Sequence, residues 1–202
     1  EDGYGINLLP LATFAMETYK DDPCKPFFAT ELGRESQHDK KTNRLIAQMH
    51  KAITIIQFKE EARIIDRHPE FHMADRKLLE HIHFGNGTCI IDGKVYEMDD
   101  TFLPTVAQDN PNALSEEEEL LMTKLAHSFR TSDKLQRHVQ CLLAHGGMYS
   151  ISNSNLMYHA TVPLNADGTL KEVEIGGKKY KGMALMKKTG HIVREAFNND
   201  TP

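Results

Sequence analysis

Cysteine is scarce in this sequence. Cys24, Cys89 and Cys141 stand far apart, are odd in number and form no C-x-x-C pair. That argues against a disulfide scaffold or a zinc knuckle and predicts reduced thiols in a cytoplasmic protein. No apolar run approaches the roughly 20 residues that a membrane-spanning helix needs. No basic and then apolar leader opens the chain. No block of basic residues offers a nucleic-acid footprint, and the formal net charge is -5. Neither membrane nor nucleic acid is therefore expected as a partner. A Gly-rich phosphate loop, a Ser-His-Asp order and an H-E-x-x-H helix are all missing. So are internal repeats and low-complexity segments. Tryptophan is absent as well, and nothing follows from it.

What is present fits one or two ordinary domains: 202 residues, 40% hydrophobic and 26% charged. The chain begins on Glu1 and ends on Thr201-Pro202, which reads as an internal piece of a longer polypeptide.

Helical spacing of Leu8, Leu11, Ala12, Ala15, Met16 and Tyr19 predicts a helix capped by Asn7, with Pro10 harmless in its first turn. Asp21 to Pro26 reads as loop. The strongest helix is expected from Asp39 to Arg67. Leu45, Ile46, Met49, Ala52, Ile53, Ile56 and Ile64 form its apolar stripe, charged residues fill the other face, and Pro69 ends it. A shorter helix is expected over 74–83. Thr88 to Ile91 and Lys94 to Met98 flank Asp92-Gly93, a type I′ hairpin signal, and 99–111 reads as loop. Ser115 with Glu118 three residues on makes a capping box. The acidic run Glu116 to Glu119 is then a solvated helix start, favourable to the helix dipole. Thr131-Ser132-Asp133 breaks the pattern. A further helix points Leu135, Val139, Leu142 and Leu143 inward and stops at Gly146-Gly147.

Two β-like runs follow around Asn153-Ser154, then an Asn165–Gly168 turn and a hairpin around Gly176-Gly177. A last helix covers about Met183 to Asn198. The order is helices, a small β insertion, then a β-rich end, which is an α+β arrangement and not a regular β-α-β alternation.

Histidines supply the candidate chemistry. His68, His72, His81 and His83 could form a metal site, but Pro69 breaks the helix that would align the first pair. His145-Gly146-Gly147 reads as a helix terminus. His159 is the better candidate, because a strand leads into it and strand ends are where α/β enzymes keep their sites. The six lysines between Lys171 and Lys188 could contact a phosphorylated substrate, but they read first as the solvated faces of a hairpin and a helix.

The run Asn153-Ser154-Asn155-Leu156-Met157-Tyr158-His159-Ala160-Thr161-Val162-Pro163, then Asp167-Gly168, then Gly177-Lys178-Lys179-Tyr180-Lys181-Gly182, resembles the class III fructose-1,6-bisphosphatases of bacteria. Their corresponding segment is close to N-x-N-L-L-x-H-G-C-I-P, followed by an acidic-Gly turn and a G-x-x-Y-x-G hairpin. The segment holding Ser132 and Leu135-Gln136-Arg137-His138 resembles the part just upstream. Glu1 to Asp22, with Gly3-Tyr4-Gly5 and Leu8-Leu9-Pro10-Leu11, resembles the part that follows the family's G-N-H-D motif. Ala160-Thr161 depart from the usual Gly-Cys, which removes a glycine's backbone freedom beside the histidine.

The resemblance implies a calcineurin-like metallophosphoesterase sandwich, largely helical in this stretch with short β-hairpins. It divides the chain into three segments. Residues 1–38 follow the metal motifs, 39–147 form a helical insert with a hairpin at 88–98, and 148–202 supply sandwich strands, a hairpin and a helix. It implies hydrolysis of fructose 1,6-bisphosphate to fructose 6-phosphate and phosphate in gluconeogenesis. Two divalent ions, manganese by resemblance, would activate a bridging water, with His159 as one metal ligand. The other ligand motifs fall outside this stretch, so it is expected to be inactive alone. The cysteines point to a cytoplasmic protein, and strands left with an exposed edge predict a homo-oligomer. The competing expectation makes 39–147 an interaction or regulatory module without a catalytic role, or makes the parent a related metallophosphoesterase with another substrate.

Overall fold

The structure is a computed structural model that describes residues 2–28, 39–158 and 161–199. The chain divides into two compact units, Glu1–Ser132 and Asp133–Pro202. That is a division by packing, whereas the three segments expected above mark position relative to metal motifs.

In the first unit, α1 (Leu9–Thr18), α2 (Lys40–Arg67) and α3 (Glu116–Arg130) enclose one core of Leu11, Ala15, Tyr19, Cys24, Ala47, Ala52, Ile56, Leu121 and Leu125. Helix α1 starts two residues after Asn7, whose Oδ1 accepts from the Leu9 N–H at 3.0 Å. The Asn7 N–H donates to Ser128 Oγ, and Ser132 Oγ donates to the Tyr4 carbonyl, so both bonds tie the N-terminal stretch to the end of α3. Asp39 caps α2 by accepting from the Thr42 N–H. The capping box of α3 is present in full, Ser115 Oγ taking the Glu118 N–H and Glu118 Oε2 taking the Ser115 N–H.

The stripe expected on α2 is rotated. Ile64 is 44% exposed, and the buried face is Ala47, Gln48, Lys51, Ala52, Ile55, Ile56, Lys59, Ala62 and Ile65. At about 100° per residue this face lies roughly a third of a turn from the one that the apolar residues alone mark out. The displacement has a cause. Three long polar side chains, Gln48, Lys51 and Lys59, find buried acceptors there and bury their stems with them.

Residues 74–83 do not form the expected helix. They make two 3-10 turns, Ala74–Arg76 and Leu78–His81, then β1 (Ile82–His83). Lys77 between the turns has ψ 76°, outside the helical region. Its Nζ is held by Glu80 at 2.6 Å and Asp66 at 3.2 Å. Ile82 and His83 pair with Cys89 and Thr88 instead, and Leu79 enters a second small core with Ile55 and Val106. Strands β2 (Thr88–Ile91) and β3 (Lys94–Glu97) complete an antiparallel sheet of order β1-β2-β3. Asp92 and Gly93 both take positive φ (50° and 74°), as a type I′ turn requires.

The second unit holds α4 (Asp133–His145), the hairpin β4 (Tyr149–Ser152) and β5 (Asn155–Tyr158), the hairpin β6 (Val173–Ile175) and β7 (Lys178–Tyr180), and α5 (Gly182–Asn198). Each hairpin is a separate two-stranded antiparallel sheet. The Arg194 guanidinium of α5 closes the end of α4. It donates to the carbonyls of Leu143 and Gly146 at 2.8 Å each and to Gly190 at 3.0 Å, supplying partners for carbonyls that a helix end leaves open.

Burial in this unit is slight. Of its described hydrophobic side chains only Leu185 falls in the buried class. Leu135, Val139 and Leu143 are half-buried as their spacing predicts, but Leu142 is 69% exposed. Ile151 and Leu156, directly paired across β4 and β5, are more than half exposed.

Candidate functional site

The most concentrated chemistry among the described residues is a line of charged groups sealed inside the first unit. The Lys51 side chain is 1% exposed, and its Nζ meets Asp22 Oδ2 at 2.5 Å and Asp100 Oδ2 at 2.6 Å. The same ammonium lies 5.4 Å from the Tyr19 ring centre and 5.7 Å from that of Phe102, within cation–π range of both. Asp22 also orders the backbone, since its Oδ1 accepts from the Cys24 N–H at 2.8 Å where Cys24 takes a left-handed φ of 48°.

Two helical turns further along α2, Lys59 Nζ donates to Glu118 Oε2 at 2.7 Å and to the Thr105 carbonyl at 2.6 Å. A buried ammonium is tolerated only with such partners. Burial pushes the Tyr19 phenol well above its ordinary range, against the pull of the Thr105 hydroxyl beside it. Burial, with the Asp22 carboxylate adjacent, pushes the Cys24 thiol up to about 12, which disfavours the thiolate form that nucleophilic attack requires.

None of these residues stands out in the sequence as a site. Glu118 corrects an expectation directly. It belongs to a run read as solvated, yet its side chain is 1% exposed. The signal that could have found the pairs is weak: two lysines on one long amphipathic helix, with acids elsewhere whose proximity only the fold creates.

The histidines of 68–83 do not converge. His68 Nδ1 lies 2.9 Å from Glu70 Oε1, and its ring stacks on Phe71 at 4.7 Å. His83 sits in β1 opposite Thr88. Among the described residues no group of three or more His, Cys, Asp or Glu is placed to hold a metal ion. His145 ends α4, and the Gly146 N–H donates to the Leu142 carbonyl, which is the helix-terminus reading. Of the lysines near the second hairpin, Lys179 and Lys181 both lie within 4 Å of Glu172. Asn153 and Ser154 turn β4 into β5 with φ of 48° and 64°, and β5 ends at Tyr158. The metal-ligand candidate His159 lies outside the described residues.

Five α-helices and small antiparallel sheets among the described residues define an α+β protein. Comparison with known proteins takes this further. Residues 1–202 match the family described as Firmicute fructose-1,6-bisphosphatase. The chain is 55% identical over 208 residues to fructose-1,6-bisphosphatase class 3 of Phocaeicola vulgatus, covering all of this chain and 31% of that protein. It is 55% identical over 197 residues to that of Bacteroides thetaiotaomicron, covering 98% of this chain and 30% of the relative. Against that of Clostridium novyi the figure is 50%, over 98% of this chain and 29% of the relative. No solved structure matches. The chain therefore belongs to the Firmicute fructose-1,6-bisphosphatase family. It spans about three-tenths of the length of the curated relatives it matches.

Proposed function

We propose that this chain is part of an enzyme that hydrolyses fructose 1,6-bisphosphate to fructose 6-phosphate and phosphate, serving gluconeogenesis in the cytoplasm. The observation that carries the reading is the family match across residues 1–202, with relatives of that name 50–55% identical along nearly the whole chain. In this reading 1–38 follows the metal motifs and 39–147 is a helical insert with a hairpin at 88–98. Residues 148–202 lend strands to a calcineurin-like sandwich. The exposed pair Ile151 and Leu156 supports the last assignment, since a two-stranded hairpin with its apolar side chains in water is not stable alone.

The described residues do not fit a metal site. The divalent ions of the proposed reaction, manganese by resemblance, would be held elsewhere in the whole protein, with His159 as the one candidate ligand from this stretch. What the described residues contribute is position. The buried pairs fasten Tyr19 to Cys24 and the 99–106 loop to α2, and Arg194 fixes the turn from α4 into β4. Free strand edges also suit homo-oligomer formation.

The test is to express the 202 residues alone. The expected result is that the stretch retains no divalent metal, releases no phosphate from fructose 1,6-bisphosphate and associates with itself in light scattering. Clear metal-dependent turnover by this stretch would show that the site is complete within it and would contradict the placement of the other metal ligands elsewhere in the whole protein.

A further inference from the structure

A groove in the first unit carries its core out to the surface. Ile46, Met49 and Ile53 of α2 line it together with Met122 and Phe129 of α3, and its volume is about 480 Å³. Leu11 and Leu125, buried members of the core, line it as well. Met49, Ile53 and Met122 pack against that core yet are only partly buried, and Phe129 is 43% exposed.

The groove follows from the way α2 is turned. Its buried face is taken up by Gln48, Lys51 and Lys59, whose partners Tyr19, Asp22 and Glu118 lie inside. The apolar stripe, roughly a third of a turn away, is left at the edge of the core. Helix α2 is thus buried on one side and apolar on a second. A surface helix needs one apolar face, whereas a helix apolar around more of its circumference belongs inside a larger body.

The lining indicates what covers it. It holds no Asp, Glu, Lys or Arg, and His50 is its one titratable residue. Such a surface has no charge with which to steer or select a transient partner. Its composition is that of a core cut in two, as permanent contacts have. In the curated relatives, the matched stretch is about three-tenths of the length, so the greater part of the polypeptide lies beyond it and is joined to it covalently. A tethered segment reaches such a groove at an effective concentration that a separate molecule does not match.

We propose that the groove seats an uncharged, apolar segment of the same polypeptide from beyond these 202 residues, and that this segment completes the core of the first unit. Nothing in this depends on the reaction proposed above, and the test reads no activity.

The test uses the longest natural polypeptide that carries these residues. Methionine is replaced throughout by photo-methionine, which is close to it in shape, and the native protein is irradiated. Cross-links from Met49 and Met122 are mapped by mass spectrometry. The expected result is links within one chain to a peptide outside residues 1–202. Separately, Ala126→Cys puts a thiol on the exposed part of the groove wall. In the native protein this thiol should escape a maleimide that labels it fully after denaturation. Absence of links from both methionines overturns the proposal, as do links only to a second copy of the chain, to another protein or to sites within residues 1–202. A thiol that labels as fast in the native as in the denatured protein also overturns it. If Ala126→Cys fails to fold, the cross-links decide alone.

Discussion

Lys59 and Glu118, 59 residues apart in the chain, meet at 2.7 Å with neither side chain more than 1% exposed. The pair joins the middle of α2 to the first turn of α3, and the same carboxylate closes the capping box on Ser115. Breaking a buried pair by removing one partner leaves a charge stranded, at a cost of about 3–5 kcal/mol. Glu118→Ala should therefore lower the unfolding free energy of the first unit by about that amount in a denaturant titration. Glu118→Gln, which keeps an acceptor for both donors, should lose less. Replacing both members, Lys59→Met with Glu118→Leu, should be milder than Glu118→Ala. Equal losses for the single and the double variant would contradict the assignment.

Lys51 sits between two carboxylates and two aromatic rings, a surround suited to any small ammonium ion. Lys51→Ala should cost about 3–5 kcal/mol by stranding Asp22 and Asp100. The cage left behind should bind an alkylammonium. Adding ethylammonium to the variant should raise its melting temperature more than the same concentration of sodium does, and should leave the wild-type protein unaffected. No difference between the two cations would count against the cage.

Cys24 gives the protein an alkaline limit. Its folded value, about 12, lies above the ordinary 9.0. The unfolded chain releases the thiol proton first as pH rises. The stability that Cys24 contributes is thus complete below pH 9 and is lost as pH climbs toward 12. Unfolding free energy measured from pH 8 to 11 should fall less steeply in Cys24→Ala than in the wild-type protein, whatever the difference in absolute level. Thiol labelling of the native protein at pH 8 should run Cys141, then Cys89, then Cys24, following their exposure. Early modification of Cys24 would show that the first unit opens readily.

Local signals were legible in the sequence, and long-range ones were not. The Ser115 capping box, the Asp92-Gly93 turn, the Asn153-Ser154 hairpin and the extent of α2 all rest on contacts within a few residues, and all are where the pattern puts them. The helix expected over 74–83 failed because pairing of Ile82 and His83 with β2 outweighs a short stretch's helical preference. The buried face of α2 was misplaced because an apolar stripe cannot reveal that Lys51 and Lys59 have carboxylates waiting 49 and 59 residues away. The charged line inside the first unit was invisible for the same reason. The family resemblance was legible because it rests on motifs, including the run that surrounds His159, and it covers the chain in order.

The proposal turns on His159. The direct measurement is bound divalent metal, together with phosphate release from fructose 1,6-bisphosphate, in the longest natural polypeptide that carries these residues and in its His159→Ala variant. The wild-type protein should hold metal and release fructose 6-phosphate. The variant should keep its circular dichroism while losing most of both bound metal and turnover. An unchanged metal content and rate in His159→Ala would contradict the account and return His159 to an ordinary structural histidine.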